Sequence, residues 1–127
     1  MVINIMKEFK EWLDLYGRAW MLRKPTLIKK LFVDNATYHE KPLEKPLKGI
    51  SEITKYWENV STTQRNIEFD YEILSCTKNY GIAHWQASFV RNNNERVELD
   101  GIFLAYFDDQ NKCTNFREWW QSRKTGL

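Results

Sequence analysis

Apolar positions recur in a helical rhythm along the start of the chain. Ile5, Phe9, Trp12, Leu13, Tyr16 and Trp20 are three or four residues apart, with Lys7, Glu8, Lys10, Glu11 and Asp14 between them. This spacing predicts one long amphipathic helix from Ile5 to about Leu22. Pro25 suits a helix's first turn, and Leu27, Ile28, Leu31 and Phe32 predict a second, short helix that stops near Asp34-Asn35. Ala36 to Glu40 reads as a brief strand, and Pro42, Pro46 and Gly49 make Lys41 to Gly49 a loop. Ile53, Tyr56, Trp57 and Val60 then return to the i, i+3, i+4, i+7 pattern of a third helix, opened by Ser51 and Glu52.

The second half alternates residue by residue. Ile67, Phe69, Tyr71 and Ile73 are interleaved with Glu68, Asp70 and Glu72, which predicts a strand with one wet face up to Ser75. Three more strands follow, Ile82 to Arg91, Glu95 to Phe107 and Lys112 to Trp120, separated by the turns Asn92-Asn93-Asn94 and Asp108-Asp109-Gln110-Asn111. Such short turns imply an antiparallel meander. In the third of these four strands Val97, Leu99, Gly101, Phe103, Ala105 and Phe107 share one face, while Glu98 and Asp100 share the other with Ile102, Leu104 and Tyr106. The apolar half of that second face suits a homodimer interface. Helices gathered first and strands last give an α+β domain, three N-terminal helices packed on a curved antiparallel sheet. A twisted sheet wrapped around helices makes a cone whose wide end stays open as a pocket.

The chain has 127 residues, one domain's worth, so positions 1–127 form a single expected unit. Composition adds one fact that matters: six Trp, six Tyr and seven Phe are more large rings than so small a core needs. The net charge of +2 gives no reason to expect nucleic acid, and Arg23, Lys24, Lys29 and Lys30 read as a solvated helix face. Cys76 and Cys113 fit no zinc or redox spacing and are expected to be buried free thiols. Met1 to Lys10 has only interrupted apolar stretches, which argues against a signal peptide or membrane span and for a cytoplasmic protein.

Candidate chemistry is narrowed first by what the sequence lacks. It has no Gly-rich phosphate loop, no G-x-S-x-G elbow and no H-E-x-x-H, and two histidines, His39 and His84, make a weak basis for a metal site. Neither a metal nor a cofactor is expected. In the terminal strand, Arg117 and Glu118 stand between Phe116 and Trp119-Trp120, so alternation turns one of the two charges inward. An inward charge needs a partner, and Tyr38, His39 and Glu40 are candidates.

The run Trp12-Leu13, Tyr16, Ala19-Trp20, Leu31-Phe32, Asn35-Ala36-Thr37-Tyr38, Pro46 to Gly49 and Tyr56-Trp57 resembles the nuclear transport factor 2-like superfamily, in its SnoaL-like (polyketide cyclase-like) branch. Ala83 to Phe89, Val97 to Ile102 and Phe116 to Trp120 extend the resemblance over nearly the whole chain. The resemblance implies the cone-shaped fold, but members include isomerases, cyclases, dehydratases, hydrolases and binding modules, so it names no single activity. Similarity to the ketosteroid isomerases implies an oxyanion-donating phenol at Tyr16 and a general-base carboxylate at Glu40, and it puts Phe103 where those enzymes carry a protonated Asp. The expected catalytic set is therefore Glu40, with Tyr16 or Glu118 assisting. Trp20, Tyr38, His39, Tyr56, Trp57, Trp85, Phe103, Arg117 and Trp119 are the expected pocket residues. The expected ligand is a small apolar or aromatic molecule. Plainer roles stand beside these: Tyr16 as a core residue with a satisfied hydroxyl, Glu40 as a surface partner of Lys41 or Lys45, and the whole chain as a non-catalytic ligand-binding or dimerisation module.

Overall fold

A computed structural model describes residues 4–125; positions 1–3 and 126–127 of the expected domain lie outside the described residues. Helix α1 (Ile5–Met21) begins where the Asn4 side chain accepts a hydrogen bond from the Lys7 amide at 2.9 Å, and it buries Phe9, Trp12, Leu13, Tyr16 and Trp20. A 3-10 helix (Pro25–Lys30) follows, then strands β1 (Phe32–His39) and β2 (Leu47–Lys48). Helix α2 (Ile50–Thr63) comes next, and β3 (Gln64–Cys76), β4 (Tyr80–Arg91), β5 (Arg96–Phe107) and β6 (Cys113–Lys124) complete the chain. No helix among the described residues is long and apolar enough to cross a membrane.

One six-stranded sheet runs in the order β2-β1-β6-β5-β4-β3. The meander β3 to β6 is antiparallel, as the short turns predict, but β1 lies parallel to β6, so the sheet is mixed rather than wholly antiparallel. Register shifts in β3, between Arg65 and Glu68 and again between Ile73 and Ser75, bend the sheet around the helices. Three helices are described, with β1 and β2 lying between the second and the third.

The second helix differs from expectation. It ends at Lys30, and strand begins at Phe32 rather than Ala36. The Leu31 carbonyl is the reason: it accepts hydrogen bonds from the Cys113 amide at 2.7 Å and from Trp12 Nε1 at 3.0 Å, which takes it out of any helical ladder and ties it to β6. The expected loop after Glu40 holds β2, which pairs with Thr37 and Tyr38. Cys113 is a buried free thiol as expected, whereas the free thiol Cys76 is only half-buried at the end of β3.

The core lies between α1, α2 and the inner face of the sheet, where Ala83, Trp85, Ala87, Phe89, Val97, Phe103, Ala105 and Phe116 are buried. Gly101 belongs to this face for a steric reason. A Cβ there would stand 2.5 Å from the Trp119 carbonyl oxygen and 2.7 Å from Trp120 Cβ, so only glycine lets β5 and β6 approach this closely beneath Trp85.

Candidate functional site

The site grows out of the alternation of β6. Phe116, Glu118 and Trp120 turn to the inner face, and Arg117 and Trp119 turn to the outer one. The inward charge is thus Glu118, which is 6% exposed. It pairs in register with Phe103 on β5. Phe103 packs at ring distances of 4.8–5.1 Å against Phe116, Trp85 and Tyr16.

Above that aromatic floor is a cavity of about 170 Å³. Tyr16 and Trp20 from α1, Tyr38 from β1, Tyr56 and Trp57 from α2 and Trp85 from β4 form its walls, together with Glu40, Glu118 and Trp120. The more exposed Gln64, Arg91 and Ser122 make its rim. A larger depression of about 710 Å³ lies outside the sheet between Glu68, Asp70, Gln86, Glu98, Asp100 and Arg123. That one is open, and its Asp100, Glu98 and Arg123 are paired with neighbours, whereas the smaller cavity holds a buried carboxyl, so the chemistry points inward.

The hydroxyls of Tyr16 and Tyr38 are hydrogen-bonded at 3.0 Å, either one donating. Tyr56 donates to Glu40 Oε1 over a long 3.4 Å, Trp120 Nε1 donates to the Glu40 carbonyl at 2.9 Å, and Trp20 Nε1 donates to Gln64 Oε1 at 2.8 Å. Burial pushes the Glu118 carboxyl well above its ordinary range, and the nearby Glu40 adds to this; the Tyr38 hydroxyl works the other way by hydrogen bonding. Burial also raises Glu40, which Lys41 partly offsets. Tyr16, Tyr38 and Tyr56 are all held far above the ordinary phenol value, first by burial and then by the Glu118 charge, so they act as neutral hydroxyls.

Of the residues expected at the pocket, the cavity brings together Tyr16, Trp20, Tyr38, Glu40, Tyr56, Trp57, Trp85 and Glu118. Four do not reach it. Arg117 and Trp119 lie on the outer face because they have the opposite parity from Glu118, and Trp119 is 44% exposed. His39 has the opposite parity from the buried Tyr38; its imidazole is depressed by partial burial and by Arg117, its register partner on β6. Phe103 is fully buried under the floor rather than on the lining. Trp120 and Gln64 are among the lining residues not expected from the sequence. Trp120 was legible, since it shares parity with Glu118, whereas Gln64 carries no signal beyond its position at the end of α2.

A carboxyl whose proton affinity is raised by burial in a dry aromatic cavity is equipped to give a proton and take it back, and the half-buried Glu40 across the space is a second carboxyl and a candidate base. No group of three or more His, Cys, Asp or Glu among the described residues is arranged to hold a metal ion.

Helices packed on the inner face of a bent six-stranded sheet, with a polar-tipped aromatic cavity between them, define the nuclear transport factor 2-like class of α+β protein. Within that class the chain belongs to the SnoaL-like domain family, whose sequence profile matches residues 12–116. No curated protein matches the sequence. Among solved structures, the chain is similar to SalBIII, described as an epoxide hydrolase/cyclase-like enzyme in pyran ring formation in the polyether salinomycin. That match has a TM-score of 0.79 and 16% identity, over 91% of this chain and 92% of that one. A Bacillus subtilis protein described as a candidate isomerase matches with TM-score 0.81 and 15% identity, over 94% and 90% of the two chains. An NTF2-like protein of unknown function from Exiguobacterium sp. 255-15 gives 0.71 and 18%, over 91% and 99%. At such identities the likeness is one of fold.

Proposed function

We propose that this protein binds a small, largely apolar molecule in the aromatic cavity and performs acid–base chemistry on it, of the isomerisation, cyclisation or ring-opening kind. The observation that carries this reading is Glu118, a buried carboxyl lining a cavity whose other walls are aromatic. Glu118 acts as the proton donor, the Tyr16–Tyr38 hydroxyl pair orients it and the substrate oxygen, and Glu40 serves as the base nearer the mouth. The descriptions of SalBIII and of the Bacillus subtilis protein support the same range of reactions. The volume of about 170 Å³ supports a ligand smaller than a steroid, since sites for drug-sized molecules run to roughly 300–1,000 Å³.

Trp20, Trp57, Trp85 and Trp120 line the cavity, so tryptophan fluorescence reports its occupancy. Against a panel of small carbonyl compounds, epoxides and aromatic alcohols, at least one compound is expected to quench the emission and to be turned over. Glu118→Gln should then abolish turnover while preserving the quench. Turnover unchanged in both Glu118→Gln and Glu40→Gln would remove this mechanism. Phe103, standing where related isomerases hold a proton donor, favours a second reading, a binding module; quenching with no turnover of any compound is its signature.

Two further features belong to the proposal. The free thiols Cys76 and Cys113 support a cytoplasmic setting. The outer patch of Ile102, Leu104, Tyr106 and Trp119 supports pairing with a second copy of the chain through that face.

A further inference from the structure

Given a cavity that holds a small ligand, we propose that this ligand is an organic cation, an amine or ammonium on a compact apolar body, with its charge set against Glu118 among the aromatic rings. A count of hydrogen-bond donors leads there. Trp20 donates to Gln64, Trp120 to the Glu40 carbonyl and Tyr56 to the Glu40 carboxyl. Tyr16 and Tyr38 are bonded to each other, and Tyr38 also favours the ionised form of Glu118. The indole N–H groups of Trp57 and Trp85 have no partner, yet both nitrogens are buried out of contact with the open space. Apart from one hydroxyl hydrogen of the Tyr16–Tyr38 pair, the donors of the inner walls are therefore spent within the chain or turned away from the open space. What the walls present to a ligand is chiefly carboxyl oxygens and ring faces, and the remaining donors, Gln64, Ser122 and Arg91, belong to the rim.

An electron-rich, donor-poor wall recognises a positive, donor-rich or alkylated group, because the faces of Trp and Tyr attract cations and do so more strongly when water is excluded. The chain supplies a small example at the edge of the same cavity: the Lys41 ammonium sits 4.9 Å from the ring centre of Trp120. Lys41, which pairs with Glu44 at 3.8 Å, also lowers the proton affinity of Glu40, so the outer carboxyl has a cation nearby. Among the described residues Glu118 has no such cation: no lysine or arginine offsets its burial, and the nearby Glu40 is a like charge. An anionic ligand would set its charge against two carboxyl groups, which disfavours small carboxylates. A neutral ligand gives Glu118 no counter-charge; an amine can take up its proton and supply the counter-charge the fold withholds.

The test compares three probes of matched size, benzylamine, benzyl alcohol and benzoate, by isothermal calorimetry with tryptophan fluorescence at pH 7. Benzylamine should bind at least roughly tenfold more tightly than benzyl alcohol, the scale of one desolvated cation–ring contact plus a charge pair, and benzoate should not bind. Glu118→Gln, nearly the same shape and checked for folding by circular dichroism, should erase the preference for the amine. Equal or tighter binding of benzyl alcohol by the unmodified protein overturns the cation while leaving the small-molecule cavity intact. Failure of all three probes to bind overturns both. The comparison within the unmodified protein decides the matter even where the variant does not fold.

Discussion

Two carboxyl groups on neighbouring strands, Glu118 of β6 and Asp100 of β5, point to opposite faces of the sheet and live under opposite conditions. Asp100 is exposed and accepts hydrogen bonds from Gln86 Nε2 and His84 Nε2, each at 2.9 Å, while His84 Nδ1 reaches Glu72 at 3.1 Å. These partners, Gln86 first and then His84, hold the Asp100 carboxyl below its ordinary value, and Asp100 and Glu72 together raise the His84 imidazole. Glu118 is buried among rings with no cation and is pushed far the other way. The same functional group thus has its proton affinity lowered on one face and raised on the other. The residue type does not decide which; strand parity does, together with what each face packs against.

The largest expected break in this contrast is mechanical. Phe103→Ala removes the ring beneath Glu118, at the meeting point of Tyr16, Trp85 and Phe116, and should cost about 3–5 kcal/mol in urea unfolding. A loss under about 1 kcal/mol would mean that the floor of the cavity collapses freely, and that the dryness around Glu118 does not depend on it.

The next effect is smaller and carries a sign in pH. The folded protein binds the Glu118 proton more tightly than the unfolded chain does, so this group's contribution to stability is complete below the ordinary carboxylate value of 4.5. It is lost as pH rises through the raised folded value. Glu118→Gln cannot ionise, so its melting temperature should exceed that of the unmodified protein at alkaline pH and converge with it near pH 4. Asp100→Asn should do the reverse. The lowered Asp100 carboxyl contributes above its ordinary value of 3.8 and loses that contribution as pH falls, so the Asn variant should melt lower at neutral pH and converge in acid. Thermal melts from pH 4 to 9 that show parallel curves for Glu118→Gln and the unmodified protein would mean that Glu118 is solvated after all.

Most of this was legible in the sequence where one local pattern sufficed. The helical spacing of Phe9, Trp12, Tyr16 and Trp20 put those rings on one face, and the alternation in β5 separated Phe103 from Ile102 and Asp100. Positions that depend on a distant partner were not legible. Nothing near Leu31 shows that its carbonyl is taken by Cys113 and Trp12, so the start of β1 was misplaced. Nothing in β1 indicates a parallel neighbour at the far end of the chain. The choice between Arg117 and Glu118 needed the register of β6, fixed by Phe116 against Ala105 and Glu118 against Phe103. Strict alternation separates His39 from Tyr38 and joins Trp120 to Glu118, whatever their residue types.

The smallest effect on the fold is expected on the outer face, and it distinguishes a solvated surface from a covered one. Register sets Trp119 beside Ile102, Arg117 beside Leu104, and Leu104 beside Ile82, with Tyr80 paired to Tyr106 at the strand end. Trp119 and Tyr106 are 44% and 41% exposed, so each ring retains much of its apolar area in water in a single chain. Trp119→Ser should therefore change the stability of the dilute monomer by no more than about 0.5 kcal/mol, as for other surface substitutions. Its effect on association should be far larger, because a two-fold interface uses each patch twice and one substitution removes two rings. Sedimentation velocity over a range of concentrations should show the unmodified protein passing from monomer to dimer and Trp119→Ser remaining monomeric. If the unmodified chain sediments as a monomer throughout, the outer face is bare and the second copy is not its partner. If Trp119→Ser dimerises as well as the unmodified chain, the copies meet elsewhere.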